Sequence, residues 1–205
     1  MPSHPPSPDN PRSERGEAQR ARILDASRTH FIQRGFHAAS MGDIAAEAGI
    51  SAGLIYRYFQ SKREIIQAII RQHLVESRHG LGGLPIDSAL VDELVQAFRI
   101  WGDGDLTSWS PVLFAEVTAE SARDVDTAAI LRESERGSRD EFIAWLERRD
   151  HARGHHGTAE ARATRALMMQ LLVEGLIIRA AREPAFPEAT IRDALEKMLP
   201  LVLDP

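Results

Sequence analysis

Five residues in a short window carry side chains suited to reading a nucleic acid: Ser51, Ala52, Gly53, Tyr56 and Arg57. Arg57 can donate two hydrogen bonds to a guanine edge or bind a phosphate. Tyr56 can give its hydroxyl to a phosphate while its ring packs. Ala52 and Gly53 are small enough to let a helix approach a groove floor. Other clusters are poorer in chemistry. Glu116 and Glu120 stand four apart, which suits a solvated or pocket-lining helix face better than an acid–base pair. The run DHARGHHG at 150–157 groups three histidines without a carboxylate pair at ligand spacing, so it reads as a solvated loop, and GDGDL at 102–106 lacks EF-hand spacing. No Gly-rich phosphate loop, HExxH or GxSxG is present. No catalytic residue, metal or cofactor is therefore assigned.

The residues that must position this window lie in Ser40 to Phe59, SMGDIAAEAGISAGLIYRYF. Met41, Ile44, Ala45 and Ala48 recur at helical spacing behind Ser40, a candidate N-cap. Gly49 can end that helix in the left-handed conformation. Ser51 can cap a second helix, expected over Ala52 to Phe59, that carries Leu54, Ile55, Tyr58 and Phe59. These four cannot all face water, and Tyr58 and Phe59 are read as core. Helix, glycine turn and helix form a helix-turn-helix, whose second helix can enter a major groove. Upstream, Arg15 to Arg34 is expected as a prop helix with Ile23, Leu24, Ser27, Phe31 and Ile32 inward and Gly35 at its end. Downstream, Lys62 to Arg78 is expected as a long helix bearing Ile65, Ile66, Ile69, Ile70 and Leu74.

The ordered set Ala26, Phe31, Gly35, Phe36, Ser40, Ile44, Ala45, Ala48 and Gly49, continuing through GLIYRYFQSK to Lys62, closely resembles the DNA-binding domain of TetR-family transcriptional regulators. The resemblance covers about the first third of the chain. It implies phosphate contacts for Tyr56, Lys62 and Ser40, so the DNA-binding set becomes Ser40, Ser51, Ala52, Gly53, Tyr56, Arg57 and Lys62. It also implies a helix linking that domain to a ligand-binding domain. The expected fold is all-α: a disordered tail over 1–13, a helix-turn-helix domain over 14–60, a linker helix over 61–78, and an effector-binding and dimerisation domain over 79–205.

The net charge of −5 is unevenly placed. Residues 1–78 hold 11 Lys/Arg against 8 Asp/Glu, and residues 79–205 hold 14 against 22. The basic excess thus sits with the DNA-binding candidates, and an acidic remainder discourages indiscriminate adhesion to DNA. Arg12, Arg15, Arg20 and Arg22 form either a basic arm for DNA or a solvated helix start. The chain has no cysteine, which excludes disulfides and thiolate chemistry. Its longest apolar stretch, Ala166 to Ala181, contains Gln170, Glu174 and Arg179 and is a poor membrane span. The N-terminal run lacks the apolar core of a secretory signal. A cytoplasmic protein without a membrane partner is expected.

The second half reads as helical throughout, after a break at HGLGGLP, 79–85. Helices are expected over Asp87–Trp101, Pro111–Arg123, Val125–Arg149 and 160–182, with a last one carrying Ile191, Ala194, Leu195, Met198, Leu199 and Val202. The helix over 160–182 is apolar on nearly every side, as expected of one covered from several directions. The family resemblance implies that the last two long helices form a homodimer interface. Two recognition helices would then read a palindromic operator in double-stranded DNA. It also implies a small-molecule effector pocket. Its candidates are Phe98, Trp101, Trp109, Phe114, Met168, Met169 and Leu172, with Glu116 and Glu174 as polar anchors. Released repression is what the resemblance implies. A helical enzyme, or a dimerisation module without DNA binding, is the alternative.

Overall fold

The computed structural model describes residues 11–82, 85–86, 89–103 and 110–204, and these residues contain helices and no strand. The chain divides into two compact units, one up to Ala68 and one from Ile69 onward.

The first unit begins with α1 (Pro11–Arg34), four residues longer at its start than the periodicity suggests. Of the tail expected to be disordered, residues 1–10 lie outside the described residues, and residues 11–13 are helical; proline is tolerated in a first turn, where its missing N–H has no partner to lose. Gly35 follows at φ 77°, closing the helix as its sequence position suggests. Then come α2 (Met41–Glu47), α3 (Ala52–Ile55) and α4 (Lys62–Gly82). Ser40 and Ser51 cap α2 and α3, accepting N–H bonds from Asp43 and Leu54 at 3.1 and 3.2 Å. Such caps contribute about 1 kcal/mol each. Gly49 adopts φ 65°, its N–H bonds to Ala46, and that of Ile50 bonds to Ala45, which satisfies two end carbonyls of α2 in a Schellman arrangement. Arg22 on α1 donates to a third, the Ala48 carbonyl, at 2.7 Å. Ile23, Phe31, Ile44, Ile55, Phe59, Ile65 and Ile66 are fully buried and form this unit's core.

The second unit contains the rest of α4 and α5 (Leu90–Gly102), α6 (Pro111–Ser121), α7 (Val125–Ala152), α8 (Ala159–Arg182) and α9 (Glu188–Leu203). α8 packs against α5, α6, α7 and α9. Ser110, Asp124 and Thr158 cap α6, α7 and α8 with their side chains. The core gathers Val95 and Phe98 of α5, Phe142, Trp145 and Leu146 of α7, Met169, Leu172 and Leu176 of α8, and Ile191, Leu195, Leu199 and Val202 of α9. Phe142 and Trp145 stack at 5.4 Å.

Further boundaries differ from the periodicity. α4 runs to Gly82, through part of the expected break at 79–85, because glycine lowers helix propensity by only about 1 kcal/mol and context can override that; residues 83 and 84 lie outside the described residues. Of the turn expected at 102–106, residues 104–106 also lie outside them, and Gly102 is instead the last residue of α5. A side chain there would place Cβ 2.7 Å from the Pro184 carbonyl oxygen, so α5 can end against the α8–α9 connection only through a glycine. Finally, α7 continues to Ala152, so Asp150 and His151 are helical rather than in a loop. Asp150 is 1% exposed and belongs to the core, for a reason given below.

Candidate nucleic-acid interface

α3 is a single regular turn, shorter than the helix expected over Ala52 to Phe59. The winding continues as tighter turns, with Arg57 N–H bonded to Leu54 and Tyr58 N–H to Ile55. The apolar side chains decide its orientation. Ile55 and Phe59 are wholly buried, Leu54 and Tyr58 half-buried. What remains outward is Ser51, Ala52, Gly53, Tyr56 and Arg57, all exposed, with Tyr56 at 55%. Nothing lies within 4 Å of where a Cβ on Gly53 would stand, so the surface there is open. Ser51 uses its oxygen to accept the Leu54 N–H and keeps a hydroxyl hydrogen to donate.

Phe59 does more than fill space. The Arg20 guanidinium lies 4.7 Å above its ring, which ties α1 to the end of the recognition segment.

Two of the residues assigned to phosphate contacts have prior engagements. The Ser40 hydroxyl donates to the Asp43 carboxylate at 2.7 Å while accepting that residue's N–H. This hydrogen bond is the main reason the Asp43 carboxyl is held below its ordinary pKa. Lys62 donates to the carbonyls of Phe36 and His37 at 2.7 and 2.9 Å and sits 5.0 Å above the Phe36 ring. Two of its three ammonium hydrogens are thereby used. Lys62 therefore fastens the α1–α2 connection to the start of α4, a structural duty that its sequence position did not disclose. Ser61 caps α4, accepting from the Glu64 N–H at 3.2 Å.

The effector candidates separate into groups. Phe98, Met169 and Leu172 are buried in the second unit's core, and Trp101 and Met168 pack against it. Phe114 and Glu116 are both half-buried on α6 and stand outside that cluster. Trp109 lies outside the described residues. Glu174 is half-buried on α8, where burial raises its carboxyl pKa. Glu135 of α7 is raised likewise, first by burial and then by the charge of Glu174.

The sequence reading missed the most heavily bonded group in this unit. Arg165 of α8, 4% exposed, makes a two-pronged ion pair with Asp150 at 2.8 and 3.0 Å. It also donates to the carbonyls of Val202 and Leu203 at 2.7 and 2.5 Å. Arg149, 5% exposed, donates to the Leu203 carbonyl as well. Two guanidiniums thus supply the donors that the last carbonyls of α9 lack. Burial alone would raise the Asp150 carboxyl pKa; the hydrogen bonds and charge of Arg165, with Arg162 and Arg149, outweigh it and hold it down. The signal was available: Arg165 precedes Met169, Leu172 and Leu176 at steps of four, three and four, so it occupies a core position of α8. Among the described residues, no three His, Asp or Glu side chains converge on a possible metal site, and no helix is long and apolar enough to cross a membrane.

Residues 23–69 match the family model described as bacterial regulatory proteins, tetR family. That span holds α2, α3 and the whole outward-facing set. Over 196 residues the chain is 29% identical to the HTH-type transcriptional regulator UidR of Escherichia coli K12, covering 93% of this chain and 95% of UidR. Salmonella enterica GusR has the same fold in its solved structure, with a TM-score of 0.74 and 25% identity over 92% of this chain and 96% of GusR.

The first unit carries the DNA-binding domain of the TetR family, and the chain as a whole resembles TetR-family regulators.

The proteins it resembles are DNA-binding transcriptional regulators. A further relative, the HTH-type transcriptional repressor KstR2 of Mycolicibacterium smegmatis, is 36% identical over 70 residues, which span 34% of this chain and 32% of KstR2. The order is TetR-like: the helix-turn-helix unit comes first and a helical unit follows.

Proposed function

We propose that this TetR-like protein is a homodimeric repressor that grips a palindromic operator through Ser51, Ala52, Gly53, Tyr56 and Arg57 and releases it when a small molecule enters the second unit. The observation that carries the DNA-binding part is the division of the recognition segment. Every large apolar side chain but Tyr56 turns at least partly inward, and the small and hydrogen-bonding ones are left exposed. Arg57 supplies base readout or a phosphate contact, and Tyr56 a phosphate contact. Lys62 adds charge with its third ammonium hydrogen. Ser40 reaches a phosphate only if its hydroxyl turns away from Asp43.

Support for the dimer comes from α8 and α9. The inner side of α8 is packed in the core, yet Leu167, Leu171 and Ile178 are 46, 60 and 37% exposed, and Met198 and Leu201 of α9 are 48 and 67% exposed. Large apolar residues grouped on two neighbouring helices mark an interaction surface. A second copy of the same face would cover it, and two-fold symmetry would set two recognition segments about one DNA turn apart.

The effector site is assigned to the cluster of Phe98, Trp101, Met168, Met169 and Leu172, with Glu116 as a further polar candidate. Ligand binding there would favour a state whose two recognition segments no longer fit successive grooves. The repressor sense accords with the name of KstR2. Footprinting on DNA beside the protein's own gene tests the reading, followed by a screen for compounds that abolish the footprint. Absence of sequence-selective binding even at low salt would sink it.

A further inference from the structure

We propose that Glu174, a carboxylate set within the exposed apolar stripe of α8, makes the association of two copies proton-dependent, so that the dimer tightens as the pH falls. The proposal rests on the dimer reading given above. Residues 167, 171, 174 and 178 follow at steps of four, three and four and therefore share one helix face. Three of them are exposed leucine or isoleucine, and the fourth is a half-buried glutamate. A partner that covers the three apolar side chains takes remaining water from the fourth. Removing water from an ionised carboxylate is costly unless a cation or donor replaces it.

Among the described residues, the charges around Glu174 do not favour its ionised form. The charged neighbour from α7 is Glu135, a like charge. Arg132 and Arg139 lie near Glu135 and partly offset it. Arg139, however, donates to the Gln170 side chain at 3.2 Å, and Gln170 in turn donates to the Glu135 backbone carbonyl at 3.0 Å. On α8 itself, Arg179 is bonded to Glu183 at 2.7 Å and lies over the Phe186 ring. α6, which packs on α8, carries two acidic residues, Glu116 and Glu120. Asp92 of α5 and Arg192 of α9 pair with each other. Burial already raises the Glu174 carboxyl in the single chain, and covering the stripe raises it further.

The sign follows from linkage. A carboxyl whose pKa is higher in the dimer than in the monomer takes up a proton on association. Its penalty is present above the dimer pKa and disappears as the pH falls below the monomer pKa. A two-fold interface contains two copies of Glu174. If association raises the proton affinity of each carboxyl by about tenfold, the ionised dimer is weaker by about tenfold per copy.

The test is the dimer dissociation constant of the full chain by sedimentation, from pH 8 to pH 5.5. The expected result is tightening by about tenfold or more, with Glu174→Gln tight and nearly flat across the range. Histidines titrate in the same window, and the Glu174→Gln slope isolates their share. Glu47→Gln removes an exposed carboxylate of the first unit and should keep the wild-type slope. A pH-independent wild-type dimer overturns the proposal alone. So does a Glu174→Gln dimer weaker than wild type at pH 8, which would mean that the ionised carboxylate pairs with a cation of the other copy. A chain that stays monomeric at every pH overturns the dimer reading and this proposal with it.

Discussion

Gly53→Leu separates folding from DNA recognition more cleanly than any other single change. The added side chain starts from a point with no atom within 4 Å, on an exposed residue of α3. Surface replacements of that kind change stability by about 0.5 kcal/mol or less, and leaving glycine favours the helix slightly. The variant should therefore melt within a few degrees of wild type. Its cost falls on the complex. If Gly53 lies against the groove floor, a leucine holds the segment away and removes at least one base contact from each half-site. A good bidentate contact contributes about 1–3 kcal/mol of discrimination, so operator affinity should drop by roughly 5- to 150-fold per half-site. Binding to unrelated duplex should change much less, because it depends on phosphate contacts. Fluorescence anisotropy on operator and scrambled duplexes at one salt concentration reads both numbers. A folded Gly53→Leu protein that binds operator as tightly as wild type would refute the assignment of this surface to the groove.

Four further outcomes are expected. Arg165→Met leaves Asp150, 1% exposed, without its main cation and takes the guanidinium donor from the Val202 carbonyl of α9; breaking such a pair costs about 3–5 kcal/mol by urea unfolding, and the Arg165→Met, Asp150→Leu double variant should recover the part owed to the unpaired carboxylate. Because the Asp150 carboxyl is depressed in the folded state, its contribution is present above the ordinary aspartate range and lost as the pH falls through the lower folded value, so acid unfolding should be shallower without the pair. Gly49→Ala forces a Cβ into φ 65° and brings it 3.1 Å from Arg22, which should cost the first unit about 1–2 kcal/mol in thermal melts while leaving the second unchanged. Gly102→Ala drives its Cβ against the Pro184 carbonyl, a backbone group that cannot rotate away, and should destabilise the second unit by about 1–3 kcal/mol in the same melts.

The helices were legible because the signals that set them are local. Ser40, Gly49 and Ser51 cap or terminate their elements where their residue types suggest, and Ile44, Ile55 and Phe59 are buried where helical spacing places them. The outward set followed by elimination, since burying Leu54, Ile55, Tyr58 and Phe59 at least in part leaves few other residues. Long-range polar contacts were not legible in the same way. Lys62 reaches back 26 residues to the Phe36 carbonyl, and Arg165 reaches forward 37 to that of Val202; neither separation leaves a periodic trace. Asp150 was misread because the histidines beside it made the segment look solvated, whereas one buried guanidinium was enough to draw it into the core. The helix over 160–182 was read correctly as apolar beyond one face, and its exposed stripe now carries the dimer proposal.

The most direct test of the regulator reading is selection of binding sites from random-sequence duplex DNA by the full chain. The expected result is an inverted repeat whose half-sites are centred about 34 Å apart, occupied by two chains and lost with Arg57→Ala. No enriched sequence, or a single unrepeated half-site bound by one chain, would contradict it.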